Sequence, residues 1–246
     1  MKSGDKQAAD QFGALARFEL LYMRRLLMVR KGVAERRADL IAAERWAREI
    51  NGQILKDLYE RVIPVFGRIV VDGVKGGQIY EQKRNAGFWQ SLVDKWLLQN
   101  GLTQAANITQ TIIDDAQRIL IDAVEQGQGT YKIGTALRDY AKISRERAIV
   151  IARTEVHGAA MYASRETAAD YQALTGLVMR KTWNATLDKR VRRSHASVDN
   201  TTIAMDEKFM VDGRAMDRPG DPAGGASNVI NCRCVLTYSD NFDDLE

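Results

Sequence analysis

Only three prolines occur in this chain of 246 residues, Pro64, Pro219 and Pro222, so residues 1 to 63 and 65 to 218 contain none. A proline inside a helix costs about 3 kcal/mol, because it lacks an N–H and its ring meets the carbonyl four residues back. Such proline poverty favours long helices, and the apolar pattern agrees. Residues 5 to 62 are rich in Ala, Arg, Glu and Leu; Trp46, Ile50, Ile54, Leu58 and Val62 recur at four-residue steps, with Leu55 and Tyr59 widening the stripe. The Ile63-Pro64 step is expected to end or kink this helix. Gly67, Gly73, Gly76 and Gly77 then mark a turn region around a short apolar run, 68 to 71. A second block (Ile108, Ile112, Ile113, Ala116, Ile119, Leu120, Ala123, Val124) keeps helical spacing and is expected to stop at Gly127-Gln128-Gly129. A shorter helix over 131 to 141 follows, and Ser144 is placed to cap a long final helix reaching Ala173, before Gly176.

Beyond Gly176 the period changes from helix to strand. Leu177, Met179, Lys181 and Trp183 alternate onto one face. Phe209 to Val211, then Asp212-Gly213, then Arg214 to Met216 reads as a hairpin, since Asp-Gly suits a type I′ turn. Residues 217 to 225 form a turn-rich loop, and Ile230 to Thr237 alternates again, placing Ile230, Cys232, Cys234 and Leu236 together. The fold class is therefore α+β: a mainly α-helical N-terminal two-thirds, then a small mixed α+β C-terminal module with short antiparallel strands.

Charge and composition exclude some functions. Lys and Arg total 36 against 32 for Asp and Glu, a net +4 that permits a modest attraction to polyanions. Asp240, Asp243, Asp244 and Glu246 give the chain an acidic tail. Arg24, Arg25 and Arg30 interrupt the one stretch near the start that approaches a bilayer span, and it lacks the pattern of a signal peptide. Two cysteines do not make a disulfide scaffold, so folding is expected in a reducing cytoplasm.

Three clusters bear on chemistry. Lys189, Arg190, Arg192 and Arg193 crowd beside Asp188, Ser194 and His195 and could hold a phosphate or carboxylate; the bland reading is a solvated basic loop. Cys232 and Cys234, with His195, supply three zinc ligands, and Asp188, Asp199 or His157 is available as a fourth. Against zinc, sulfurs two residues apart on an extended strand lie about 7 Å from each other, so a local bend would be needed. Two small buried hydrophobes explain the pair equally well. No cofactor is expected; zinc is admissible but not favoured. In Arg153-Thr154-Glu155-Val156-His157, Arg153 falls on the stripe Ile149, Arg153, Val156, Ala160 and needs an acidic or carbonyl partner, while Glu155 points with Ile151 and Tyr162. No phosphate-binding glycine loop, zinc-protease motif or nucleophile elbow is present, and no catalytic residue is assigned.

Taken in order, the motifs say more than any one of them. Ala152-Arg153-Thr154-Glu155 is followed by Lys181-Thr182-Trp183, then Asp188, Arg190, Arg192 and Ser194-His195, then Val198-Asp199, Phe209, Pro219-Gly220-Asp221-Pro222 and Asn231-Cys232-Arg233-Cys234. This series resembles the phage Mu F-like head morphogenesis family, the minor head proteins of tailed double-stranded DNA phages, over residues 105 to 238. Asn200 departs from the family pattern, standing where a glycine is usual after the acidic residue; Asn tolerates the left-handed turn that such a glycine serves. The resemblance implies three regions: 1–103, helical and of uncertain role; 104–175, the helical part of the head morphogenesis domain; and 176–246, the small module with its acidic tail.

It also implies a non-enzymatic protein of the virion, made in the bacterial host cytoplasm and housed inside the capsid near the portal. The portal protein is its expected partner, with packaged DNA and capsid or scaffold proteins as further contacts, no membrane in the assembled head, and a role in packaging or ejection of the genome. The matching positions are Arg153, Glu155, Trp183, Asp188, Arg190, His195, Asp199, Asn231, Cys232 and Cys234. Physically they are expected to knit the module to the last helix, with Arg153 and Glu155 pairing to loop carboxylates or guanidinium groups and His195 fixed against the cysteine strand. Two alternatives stand beside this: a metal-assisted nuclease or hydrolase using His195, Cys232 and Cys234, and DNA binding through Lys189, Arg190, Arg192 and Arg193.

Overall fold

The computed structural model describes residues 3–35, 40–74, 77, 86–126, 132, 135–136 and 145–240. Helix α1 (Ser3–Glu35) and helix α2 (Leu40–Asp72) form an antiparallel pair. Gly32 faces the Trp46 ring near one end, Arg25 hydrogen-bonds Asp57 midway, and Gln7 donates to the carbonyls of Ile69 and Val70 (3.4 Å each) at the other. The single helix expected over 5 to 62 is thus two. An unbroken helix would leave its apolar stripe in water, whereas folding back buries Phe18, Tyr22, Leu26 and Val29 of α1 with Leu55, Tyr59 and Val62 of α2.

Pro64 does not end α2, which runs through it to Asp72. Ile63, Phe66 and Val70 around it are fully buried. Each contributes about 1.5–3 kcal/mol, which together exceeds the proline penalty. Residues 68 to 71 are therefore the last turn of a helix, closed where the Gly73 N–H meets the Val70 carbonyl (3.0 Å). Gly76 and the stop expected at 127 to 129 lie outside the described residues, as do Ser144 and nearly all of the helix expected at 131 to 141.

Helix α3 (Ala86–Trp96) passes through a π-helical turn at Leu97–Gly101 into α4 (Leu102–Glu125). Helix α5 (Arg145–Thr175) packs against α1 and α2. Ala152, Ala159, Ala160 and Ala163 are fully buried on it, and their small side chains allow that close approach. It ends as expected: Gly176 takes φ +73 and its N–H bonds the Gln172 carbonyl (2.9 Å). No helix among the described residues is long and apolar enough to cross a membrane.

The C-terminal module is α+β. Strands β1 (Met179–Asn184), β2 (Thr202–Ala204) and β5 (Val235–Asp240) form an antiparallel sheet in the order β2-β1-β5, and β3 (Phe209–Val211) pairs with β4 (Arg214–Met216). Asp212 and Gly213 both take positive φ (52° and 71°), as the type I′ turn demands. Met179, Lys181 and Trp183 are buried, as their alternation predicts. Met179 and Trp183 join Tyr171, Phe209, Val211, Met216 and Leu236 in a second core. The strand expected over 230 to 237 begins only at Val235; Ile230 is 44% exposed, and Cys232 and Cys234 precede the strand. Strand β5 also lies on α1, where Gln11 donates to the Leu236 carbonyl (2.7 Å) and Gln7 accepts the Tyr238 N–H (2.9 Å).

Two glycines of the helical body predict opposite outcomes. A Cβ at Gly67 would come 2.1 Å from the buried Trp89 ring, while one at Gly13 meets nothing within 4 Å. Gly67→Ala should cost about 1–3 kcal/mol in urea unfolding and Gly13→Ala should gain about 0.5–1 kcal/mol.

Candidate functional site

Everything at the candidate site turns on a bend. After a short helix, α7 (Gly225–Val229), the chain reverses at Asn231, whose φ of +62° lies in the left-handed region that Asn tolerates. Helix α5 holds the bend: Arg153 Nη1 donates to the Asn231 side-chain oxygen, and Thr154 Oγ1 accepts the Asn231 N–H (3.1 Å). Arg153 Nε also donates to Glu19 of α1 (3.1 Å). Burial raises the Glu19 carboxyl, and the Arg153 guanidinium opposes that rise. The acidic partner expected of Arg153 thus comes from the N-terminal region, with a loop amide as the second.

The bend folds both cysteines toward one point. His195 belongs to a one-turn helix, α6 (Arg193–Ala196). Its Nδ1 lies 3.3 Å from Cys234 Sγ and 3.7 Å from Cys232 Sγ, and the three donor atoms all lie within 4.8 Å of one another. The wide separation of an extended strand does not occur. All three side chains are buried. Hydrogen bonding from Cys232, then burial opposing it and the nearby His195, leaves the Cys234 thiol lowered, while the same sulfur pair and burial push Cys232 up. His157 Nε2 donates to the Cys234 carbonyl (2.7 Å), and burial lowers its pKa, keeping the ring neutral. Gly220 packs on that ring at φ +73, where a Cβ would sit 2.8 Å from Nδ1. Trp183, fully buried, stands T-shaped to His195 at 5.6 Å and to Phe209 at 5.2 Å.

The loop before α6 is fastened by charge. Asp188 accepts both terminal nitrogens of Arg233 (2.5 and 2.8 Å) and the Arg190 N–H (2.8 Å), which hold its carboxyl well below the usual carboxylate range. Asp199 accepts the Ala185 N–H (2.7 Å), and Asn200 takes φ +58, the left-handed turn expected of it. The basic cluster is divided. Arg192 donates to the Ile230 carbonyl (2.5 Å), so it braces the cysteine bend, whereas Lys189, Arg190 and Arg193 are exposed.

Among the described residues, no guanidinium pairs with Glu155. It is buried in the helical body and accepts from the Tyr59 hydroxyl of α2 (3.0 Å). Burial pushes its carboxyl up to about 7, and the Tyr59 bond opposes that rise. It is therefore distant in role from the cysteine bend.

Several partners carried no motif. Lys181, fully buried, donates to Asp217 through both the carbonyl (3.0 Å) and the carboxylate (2.5 Å), and Arg165 also reaches Asp217 (2.8 Å). A lysine on the apolar face of a strand demands such an acid, so this signal was readable. Asp115 of α4 gathers Arg30 (3.3 Å), Arg118 (3.0 Å) and Arg147 (2.9 Å), joining α1, α4 and α5. Nothing in the spacing pointed to that hub. Chemically, the Cys234–His195 pair resembles an activated thiol, but Cys232 and Cys234 are only 1% and 3% exposed, sealed from a substrate. Two sulfurs and an imidazole nitrogen suit a metal ion better.

Comparison with known proteins gives a match to the family described as Phage Mu protein F like protein over residues 114–237, just over half of the chain. The chain belongs to this family. Minor head protein GP7 of Bacillus phage SPP1 is 31% identical over 128 residues, 52% of this chain and 41% of that protein. An uncharacterised protein of Bacillus subtilis, YqbB, is 32% identical over 133 residues, 52% of this chain and 41% of its own length. The NAD(+)–arginine ADP-ribosyltransferase EFV of Enterococcus faecalis is 29% identical over 131 residues, 53% of this chain and 25% of that enzyme. The chain thus matches less than half the length of each of these relatives. No solved structure matches it. The matched family segment contains the cysteine bend, α6, β1 and all of α5, the parts that meet at Arg153 and His195.

Two measurements test the electrostatics. The raised Glu155 carboxyl means that the folded chain holds a proton which the unfolded chain releases, so stability falls as pH rises from about 4.5 through 7. The loss is on the order of 3 kcal/mol. Glu155→Gln should flatten that part of the profile and be more stable than the parent at pH 8; parallel profiles would remove the assignment. Separately, Arg153→Ala should cost about 2 kcal/mol by leaving the half-buried Glu19 unpaired. In a double-mutant cycle, adding Glu19→Gln should recover part of that loss.

Proposed function

We propose that the chain is a minor head protein of a tailed double-stranded DNA phage, housed inside the capsid against the portal, where it acts in head assembly and in packaging or delivery of the genome. Membership of the Mu F-like family carries this reading, and the similarity to a protein named as a minor head protein supports it. The polar chemistry of the motif series fits a structural role: Arg153, Asp188, Arg192, Asp199 and Asn231 each bond to another part of the same fold. Long helices supply the surface for an oligomeric partner. Exposed Lys189, Arg190 and Arg193, with a net charge of +4, make the chain compatible with phosphate at close quarters without the dense basic face of a high-affinity DNA binder. On this reading the chain is not an enzyme.

An enzymatic reading has one observation in its favour, the similarity to an ADP-ribosyltransferase, which extends over 25% of that enzyme. Two experiments separate the readings. Mass spectrometry of purified heads, with affinity capture on the co-encoded portal protein, should find the chain in both; absence from heads together with no portal binding would remove the head assignment. Incubation of the purified chain with labelled NAD+ and an arginine-bearing acceptor should give no transfer above a protein-free blank, and transfer would replace the structural reading with the enzymatic one.

A further inference from the structure

We propose that His195, Cys232 and Cys234 form a zinc site that clamps the C-terminal module, with zinc bound by His195 Nδ1 and the two cysteine sulfurs. The first support is geometric. Zinc about 2.3 Å from sulfur and about 2.0 Å from nitrogen, at tetrahedral angles, sets N···S near 3.5 Å and S···S near 3.8 Å. The two N···S separations are 3.3 and 3.7 Å, and all three donor atoms lie within 4.8 Å of one another. Small adjustments of side chains suffice to seat an ion.

The second support is the donor set. Two sulfurs and one imidazole select zinc over magnesium or calcium, which require oxygen ligands. The cluster is buried, and the neighbouring cations are already engaged: Arg233 by Asp188 and Arg192 by the Ile230 carbonyl. A divalent ion gives two buried thiolates the compensating charge that Arg192 and Arg233, already engaged, do not supply. Binding displaces the thiol protons to solvent and fixes the remaining His195 proton on Nε2, the buried nitrogen that faces no hydrogen-bond partner among the described residues.

The third support is the frame around the ligands. The Cys232 N–H bonds the Val229 carbonyl (3.2 Å), His157 holds the Cys234 carbonyl (2.7 Å), and Trp183 stands against the His195 ring. The donors are therefore placed by contacts that do not involve the ion. Other candidate ligands are committed elsewhere: His157 to that carbonyl, Asp188 to Arg233 and Asp199 to the Ala185 N–H. The fourth position falls to a water molecule. With the sulfurs sealed from substrate, the ion is structural: it joins α6 to the bend, segments 37 residues apart in the chain.

The test uses the full chain expressed with zinc and purified without chelator. About one zinc per chain is expected. Stripping the metal should lower Tm, and adding Co2+ to the stripped protein should give the intense visible bands of tetrahedral thiolate coordination. Cys232→Ser, Cys234→Ser and His195→Gln should each lose the metal, while Asp188→Asn, which breaks a neighbouring ion pair, should keep it. Because a ligand variant could simply misfold, the Co2+ spectrum of the unmodified chain decides independently. A folded parent with neither zinc nor a tetrahedral Co2+ spectrum, or full metal retention in both cysteine variants, would overturn the site. Neither result bears on the head assignment.

Discussion

One guanidinium, that of Arg153, sits where the three parts of the molecule meet. The planar fork of arginine serves Glu19 on α1 through Nε and the Asn231 amide through Nη1, two separate nitrogens where a lysine would have to reach both acceptors from one. Thr154 beside it takes the Asn231 N–H, so two adjacent residues of one helix set the backbone of a distant turn. That turn decides where Cys232 and Cys234 point, and hence what stands opposite His195. The geometry of the sulfur cluster is thus settled some way from the sulfurs, by a helix and its neighbour.

The parts legible from sequence were those whose causes are local. Asp212-Gly213 specifies its own hairpin, Gly176 its own helix end and Asn200 its own left-handed turn, because each needs only the φ its residues allow. The burial of Met179, Lys181 and Trp183 followed from strand alternation. Where tertiary packing overrides local preference, the pattern misled. Pro64 stays inside a helix because Ile63, Phe66 and Val70 are buried around it, and the stripe from Trp46 to Val62 does not reveal that α1 folds back along it. The cysteine alternation looked like a strand because nothing in Ile230 to Cys234 records that Arg153 grips Asn231. The motif series pairs Glu155 with a loop group, yet its carboxyl meets a tyrosine of α2.

This separation bears on what the family motif means. A series of Arg, Glu, Asp, His and Cys in fixed order invites a search for catalysis. Here most of these side chains hold backbone turns or one another: Asp188 binds Arg233, Asp199 caps the Ala185 N–H and Asn231 bridges to α5. Their order along the chain reflects the order in which loops return to one helix. A motif of this kind serves the shape of the module.

Gln7 and Gln11, one helical turn apart on α1, have a consequence of a different sort. Their amides meet the backbone of β5 on the side away from β1. A strand with that side bare offers a row of unmet N–H and C=O groups to any extended chain nearby. Two glutamines therefore act as a terminator, ending the sheet at three strands among the described residues. Such a stop keeps this module from being recruited into the sheet of another chain.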